Sequence, residues 1–458
     1  MTSARRAVLI YNPVSGHGHL DSWNALFVAL LLERGWRVLA LTPDPVALSQ
    51  RLEQKGLAAS RNLQILDWNS DRHRLVNSLR DLWKRWDKFG DLYFYRRPGS
   101  EASADLPFLE IWKRRFFQAT VPFLFRLSYF IYTRYLRLRT RNNGQETSDT
   151  RQDYGDCPLV MSQRVVRALG KARWSPAVAF NMYMDTYSRS PSRWSEFGRV
   201  NNLRWAGIRF VPPAEAEDPW YGVPLWRGAC VLDEEVCRSY SQALPDKCFE
   251  YLPDITEAAL PERQSAITQE IVRRANGRRI VFLGGSIGGQ KNLARWIELI
   301  DLADPQKWFF VQLGEIHRNT LTADDIAALD KTLAAPPDNL LLHPEYLADE
   351  KVFNEAINVS DVIFAVYRDF RISSNLLGKA AHFRKPILVS DRYLLGQRVR
   401  QYGIGCAVDE DDAASILSGL VTAISHPPSE EGFSRYRADF SAKELVHRLE
   451  NFLQKCSK

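Results

Sequence analysis

A chain of 458 residues is long enough for two or three domains with sizeable cores, since 45% of it is hydrophobic and 25% charged. With 61 Lys and Arg against 54 Asp and Glu, the net charge is +7, a basic bias suited to phosphate-rich ligands or an anionic membrane surface. These figures exclude a disordered or collagen-like chain, and no run of about 18 uncharged apolar residues reads as a membrane span. The six cysteines (157, 230, 237, 248, 406 and 456) lack CxxC spacing, which points to reduced thiols and no metal centre. The 13 Trp suit sugar or membrane-interface contacts and ordinary cores equally.

Ala7 to Tyr11 (AVLIY) is too short for the apolar core of a signal peptide and predicts a first strand. The turn NPVSGHGHL, a helix from about Asp21 to Arg34 and the strand WRVLALT complete a βαβ opening. Gly16 and Gly18 supply GxG, but Asp21 stands where a dinucleotide fingerprint needs its third glycine, so they are expected to shape an acceptor-side loop. His17 and His19 fall in that turn at a strand's carboxyl end, where open α/β sheets place their ligands. They are candidate catalytic groups, against the plainer reading of solvated polar surface. NPVSG also resembles the opening of diacylglycerol-type lipid kinases, whose later GGDGT-like loop has only Gly284-Gly285-Ser286 to stand for it here.

From Ile111 to Gln145 there are eight Lys or Arg residues and no Asp or Glu, interleaved with Phe, Tyr, Leu and Ile. Within an insertion at about 108–150, this pattern reads as an element lying in an anionic membrane interface, with Lys113, Arg114, Arg115, Arg126 and Arg134 as contacts. A buried helical pair is the bland alternative. Nucleic-acid binding is not expected, because phosphate tracking needs no such apolar bulk. Strands and helices then alternate again through AVAFNMYMDTY, GIRFVPP, VLDEEVCRSYSQAL and KCFEYLPDITE. Asp185, at the carboxyl end of the first of these, is a candidate general base or simply a cap. The first domain is expected to close at 255, with 256–278 as the crossing, 279–430 as the second domain and 431–458 as a terminal helix.

The stretch IVFLGGSIGGQKNLARW, beginning at Ile280, is the most informative. A buried strand runs into Gly284, Gly285, Gly288 and Gly289, then Lys291, then the helical spacing of Leu293, Ile297 and Ile300. Glycines, a cation and a helix N-terminus form a natural anion site, or else a tight turn of any α/β domain. It is not a P-loop, since Gln290 occupies the lysine position, and no register of the glycines gives GxGxxG. WFFVQLG, NLLLHPEYL and DVIFAVY follow as strands separated by helices. The expected fold class is α/β, two Rossmann-like doubly wound domains facing a central cleft.

The second half resembles the GT-B glycosyltransferases, in particular the glycosyl transferase group 1 family, over about Ile280 to Leu420. Gly285 to Asn292 falls where that family has a G-R-x-x-x-x-K-G loop, and His343 to Leu347 at its base-contacting loop. Ser360-Asp361-Val362 matches A-D-V, Lys385-Pro386-Ile387-Leu388 matches G-x-P-V-V, and Gly403-Ile404-Gly405 a late G-x-G. The resemblance implies a metal-independent hexosyltransferase without a resident cofactor, taking a nucleotide sugar at Gly285, Ser286, Gly288, Gly289, Lys291 and Tyr346. Where the family has paired glutamates, this chain has Arg371 and Lys379. Ser373, Ser374 and Asn375, at an expected helix start, with Lys379 a turn later, would hold the donor diphosphate in compensation. With the basic-aromatic insertion, this implies a lipid-linked or glycan acceptor and a peripheral enzyme on the cytoplasmic face of a membrane. The alternatives are an inactive partner subunit of the same shape, or a nucleotide-dependent lipid kinase or sugar-nucleotide epimerase.

Overall fold

Val8, Leu9 and Ile10 are fully buried, and so are Val281 to Leu283 and Ile363 to Ala365. Continuous apolar runs of this kind satisfy strands covered by helices on both faces, which is what parallel sheets require. In the computed structural model these runs form two such sheets. It describes residues 6–13, 19–67, 158–186 and 203–458, except 214, 217, 219, 224 and 348, with backbone alone at 19, 20, 158–160, 162 and 163. The chain divides into one unit of residues 1–68 with 156–458 and another of 69–155, and every described residue belongs to the first.

The first sheet begins with β1 (Ala7–Tyr11), α1 (His19–Glu33), β2 (Arg37–Thr42), α2 (Pro45–Glu53) and β3 (Leu63–Asp67). It continues with α3 (Pro158–Lys171), β4 (Val178–Asn181), β5 (Arg204–Arg209), β6 (Trp226–Val231), α4 (Glu234–Ala243) and β7 (Cys248–Tyr251). Its order is β3-β2-β1-β4-β5-β6-β7, parallel throughout. Asp185 was expected to end a strand. Instead β4 stops at Asn181, the Met182 N–H still donates to Tyr11 O at 2.9 Å, and Asp185 sits in a single 3-10 turn, Met184–Thr186.

The second sheet follows α5 (Ala266–Ala275) and opens with β8 (Arg279–Gly284), α6 (Leu293–Leu302), β9 (Trp308–Leu313), α7 (Ala323–Ala334) and β10 (Leu340–His343). After α8 (Glu350–Val359) come β11 (Val362–Ala365), α9 (Asn375–Phe383), β12 (Ile387–Ser390), α10 (Tyr393–Tyr402) and β13 (Gly405–Val408). The order β10-β9-β8-β11-β12-β13 is again parallel and reverses direction between β8 and β11. That switch point is where doubly wound sheets open a crevice at their carboxyl ends.

Three more helices close the chain: α11 (Ala413–Ser425), α12 (Glu430–Asp439) and α13 (Ala442–Ser457). The expected terminal helix is thus two helices on different cores. Phe433, Tyr436 and Phe440 of the α12 region pack on the second sheet, whereas Leu445, Leu449, Phe452 and Leu453 of α13 return to the first, among Val8, Ile10 and Phe180. The crossing also differs from 256–278, because α5 buries Ile271 and Ala275 in the second core and is pinned there by Glu355. That carboxylate accepts from Ser265 N–H at 3.1 Å and Thr268 Oγ1 at 2.9 Å. Among the described residues, no helix is long and apolar enough to cross a membrane.

Candidate functional site

The loops after β8 and β11 lie side by side because their strands pair, Val281 with Val362 and Phe282 with Ile363. Gly285 leaves β8 with φ +93°, a conformation that costs glycine little. A Cβ there would find only Lys291 Nζ within 4 Å, at 3.8 Å, so one side of this backbone is open and faces the ammonium. Half-buried Lys291 donates to Gly284 O at 3.2 Å and to Tyr367 Oη at 2.7 Å, with Nζ 4.1 Å from the Tyr367 ring centroid. An ammonium has three protons, so one is left for a ligand.

The other glycines do a different job. A Cβ on Gly288 or Gly289 would meet Thr320 at 2.9 and 2.4 Å, so they serve close packing against their own chain. Gly314, which sequence reasoning did not single out, is the counterpart of Gly285. Its φ is +136°, and a Cβ would stand 1.9 Å from Gly285 O.

Beneath this loop is an ionic frame whose members are not neighbours in sequence. Asp325, fully buried, accepts from Arg368 at 3.1 and 3.2 Å, from Ala294 N–H at 2.9 Å and from Thr322 Oγ1 at 2.8 Å. Burial pushes its carboxyl up, but hydrogen bonds from Arg368, Ala294 and Thr322 more than offset this and hold it below the usual carboxylate range. The Arg368 N–H donates to Gln290 O at 2.9 Å and its guanidinium to Asn292 Oδ1 at 3.0 Å, which joins the β11 loop to the β8 loop. Asn292 Nδ2 donates to Glu410 O at 2.7 Å, and the Glu410 side chain accepts from Asp369 N–H at 3.0 Å. Asn292, Asp369 and Tyr393 all have φ between 45° and 57°, and the two other non-glycine residues with positive φ among the described residues, Asn276 and Arg384, cap helix C-termini. Backbone strain held by surrounding contacts is characteristic of ligand clamps.

The expected site residues separate as follows. Gly285 and Lys291 meet, and Ser286 is exposed beside them. Ser374 caps α9 by accepting from Leu376 N–H at 3.4 Å, and Ser373 Oγ accepts from Arg398 at 2.8 Å, so both hydroxyls keep a proton to donate. Asn375 O accepts from Thr256 at 3.0 Å, and Tyr346 is 63% exposed in the loop after β10. Lys379 does not join them. It is fully buried and bonds to Glu350 and Asn354 on α8 and, at 3.2 Å, to Glu257 O, so its charge is spent anchoring α9 to α8 and the crossing. Asp185 also has other work: its carboxylate holds Arg209 and accepts from Phe210 and Val211 N–H, each at 2.8 Å, which locks the end of β5. Gly16, His17 and Gly18 lie outside the described residues, as do Lys113, Arg114, Arg115, Arg126 and Arg134; His19 opens α1 by backbone alone.

A scan against protein-family models finds no match, and no curated protein matches the sequence. Solved structures match over nearly the whole chain. Anabaena Alr3699/HepE in complex with UDP and glucose is 8% identical at TM-score 0.57, covering 98% of this chain and 99% of its own. An E. coli structure described as trehalose-6-phosphate bound with UDP-2-fluoro glucose is 13% identical at TM-score 0.55, covering 99% of each chain. A glycosyltransferase from Rickettsia africae is 8% identical at TM-score 0.55, covering 99% of this chain and 96% of its own. At such identities the likeness speaks for the fold, and it agrees with two parallel sheets that each reverse order at an inner strand. The chain has the GT-B fold, two Rossmann-like units carried on one polypeptide.

Proposed function

We propose that the chain is a glycosyltransferase that moves a sugar from a nucleoside diphosphate donor, with the diphosphate held between the β8 loop and the start of α9. The observation that carries this reading is the Lys291 ammonium, with one proton unspent, beside the open face of Gly285 at the switch point. As the glycosidic bond to the donor breaks, negative charge grows on the leaving diphosphate. Lys291 and the hydroxyls of Ser373 and Ser374 would stabilise it without reorganising, and each such preorganised donor is worth about 100- to 1000-fold in rate. No metal is needed for this chemistry, so EDTA is expected to leave turnover unchanged. HepE with UDP and the E. coli structure with UDP-2-fluoro glucose support a nucleotide sugar as the class of donor.

The test is a panel of nucleotide sugars read out by mass spectrometry of bound ligand, followed by turnover of the best donor. Lys291→Ala is expected to lose about 100-fold or more in kcat. Turnover like that of the wild type in this variant rules out the donor assignment. We also propose a lipid-linked or glycan acceptor at the cytoplasmic membrane face, supported by the basic-aromatic sequence from Ile111 to Gln145. The second reading, an inactive partner of the same shape, is favoured by one observation. At the two positions where the resembling family carries glutamates, Arg371 pairs with Asp369 and Lys379 is buried. Failure of every nucleotide sugar to bind would favour it.

A further inference from the structure

Arg398 on α10 is 2% exposed, yet it belongs to neither core alone. Its Nη1 donates to Ser373 Oγ at 2.8 Å, at the start of α9 on the second sheet. Its Nη2 donates to Leu232 O at 2.7 Å and to Glu234 Oε2 at 3.0 Å, both at the carboxyl end of β6 on the first sheet. The guanidinium is stacked 4.8 Å from the Phe440 ring centroid, which leaves it little freedom. This is an expensive arrangement on local grounds. A cation at the N-terminus of α4 opposes the helix dipole, and a buried guanidinium whose Nε has no hydrogen-bond partner among the described residues depends on the partners of Nη1 and Nη2. Separating the two sheets would remove Leu232 and Glu234 together and leave Arg398 with Ser373 and the Phe440 ring.

We propose that Arg398 is a positioning residue that fixes the Ser373 hydroxyl toward the donor diphosphate only while the two Rossmann-like units are docked, so that nucleotide binding and docking form one equilibrium. This rests on the reading of 373–375 as part of the donor site. The bond from Nη1 occupies a lone pair of Ser373 and directs its proton outward. Docking therefore sets the donor geometry, and by reciprocity a bound diphosphate favours docking. Arginine supplies this because its planar fork reaches two units at once, which a lysine ammonium cannot do with the same geometry.

The experiment is a double-mutant cycle on the full chain, read by calorimetric titration with UDP, GDP, ADP and dTDP, the tightest binder being carried forward. Glu234→Gln and Ser373→Ala are made singly and together, then repeated with Arg398→Lys. Glu234 and Ser373 are joined through Arg398, on different sheets. The expected result is non-additivity of about threefold or more in Kd. It should vanish in the Arg398→Lys background, while kcat of the variants falls more than their melting temperatures explain. Additive effects in a wild type that binds the nucleotide overturn the coupling alone. A wild type that binds none of the four overturns the donor reading and the coupling with it. Glu234→Gln keeps an acceptor for Arg398 and Ser373→Ala removes one oxygen, and the melting temperatures of the variants separate loss of binding from loss of the fold.

Discussion

At the scale of single residues, charge in this chain is divided between groups left available and groups fully spent. Lys291 keeps a proton because Gly284 and Tyr367 take only two, whereas Asp325 is surrounded by donors and holds the loop from below. A carboxyl held below its ordinary range contributes stability that is complete above the unfolded pKa and is lost as pH falls through the folded one. Asp325→Asn is therefore expected to lower the unfolding free energy from urea titration at pH 7 by about 1–3 kcal/mol for a broken charged hydrogen-bond set, with the gap to wild type closing below about pH 4. A gap that stays constant from pH 7 to pH 3 rules this account out. The nearness of Gly285 to Lys291 is legible in sequence because they stand a few residues apart, whereas Tyr367, which holds the ammonium, follows the distant strand β11. Arg368 and Asp325, 43 positions apart, are not legible as partners, since Asp325 lies in the first turn of α7 after β9 and Arg368 follows β11, and only the order β9-β8-β11 of the sheet brings them together.

At the scale of elements, the strands were the most readable and the helices the least well assigned to a partner. A buried strand announces itself by an unbroken apolar run, but an amphipathic helix states only that it has an apolar face, not which sheet covers it. Helices α5 and α13 illustrate the difference: one lies within the expected crossing and packs on the second core, and the other ends the chain on the first. Leu449 on α13 is fully buried among first-sheet residues, and Glu450 accepts from Trp36 Nε1 at 2.9 Å. Leu449→Ala is expected to cost about 2–5 kcal/mol and to raise hydrogen exchange in β4 and β7 before β8 to β13. Faster exchange in the second sheet alone would show that α13 does not support the first.

At the scale of the whole molecule, the two sheets reverse order at β1/β4 and at β8/β11, so each unit presents its ligand crevice at the same kind of position. The donor site is proposed at the second of these, and the acceptor is proposed to arrive by way of the first. Reversing the charges at Lys113, Arg114, Arg115, Arg126 and Arg134 is expected to release the protein from anionic liposomes in a flotation assay, at about 1 kcal/mol per basic residue near the surface. Unchanged flotation removes the membrane reading and leaves the sugar-donor site untouched, because the two rest on different stretches of the chain.

The sequence by itself determined the alternation of buried strands and helices, the glycine loop and Lys291, since these depend on local apolar runs, backbone freedom and short spacing. Only the tertiary structure decided what each charge does. Lys379 was counted as a cation near the donor and is spent inside, Asp185, a candidate base or cap, holds Arg209 and the end of β5, and Arg398 went unremarked and joins both sheets. The physical reason is that a charged side chain's role is set by which partner meets it out of water, and such partners here come from elements far apart in the chain.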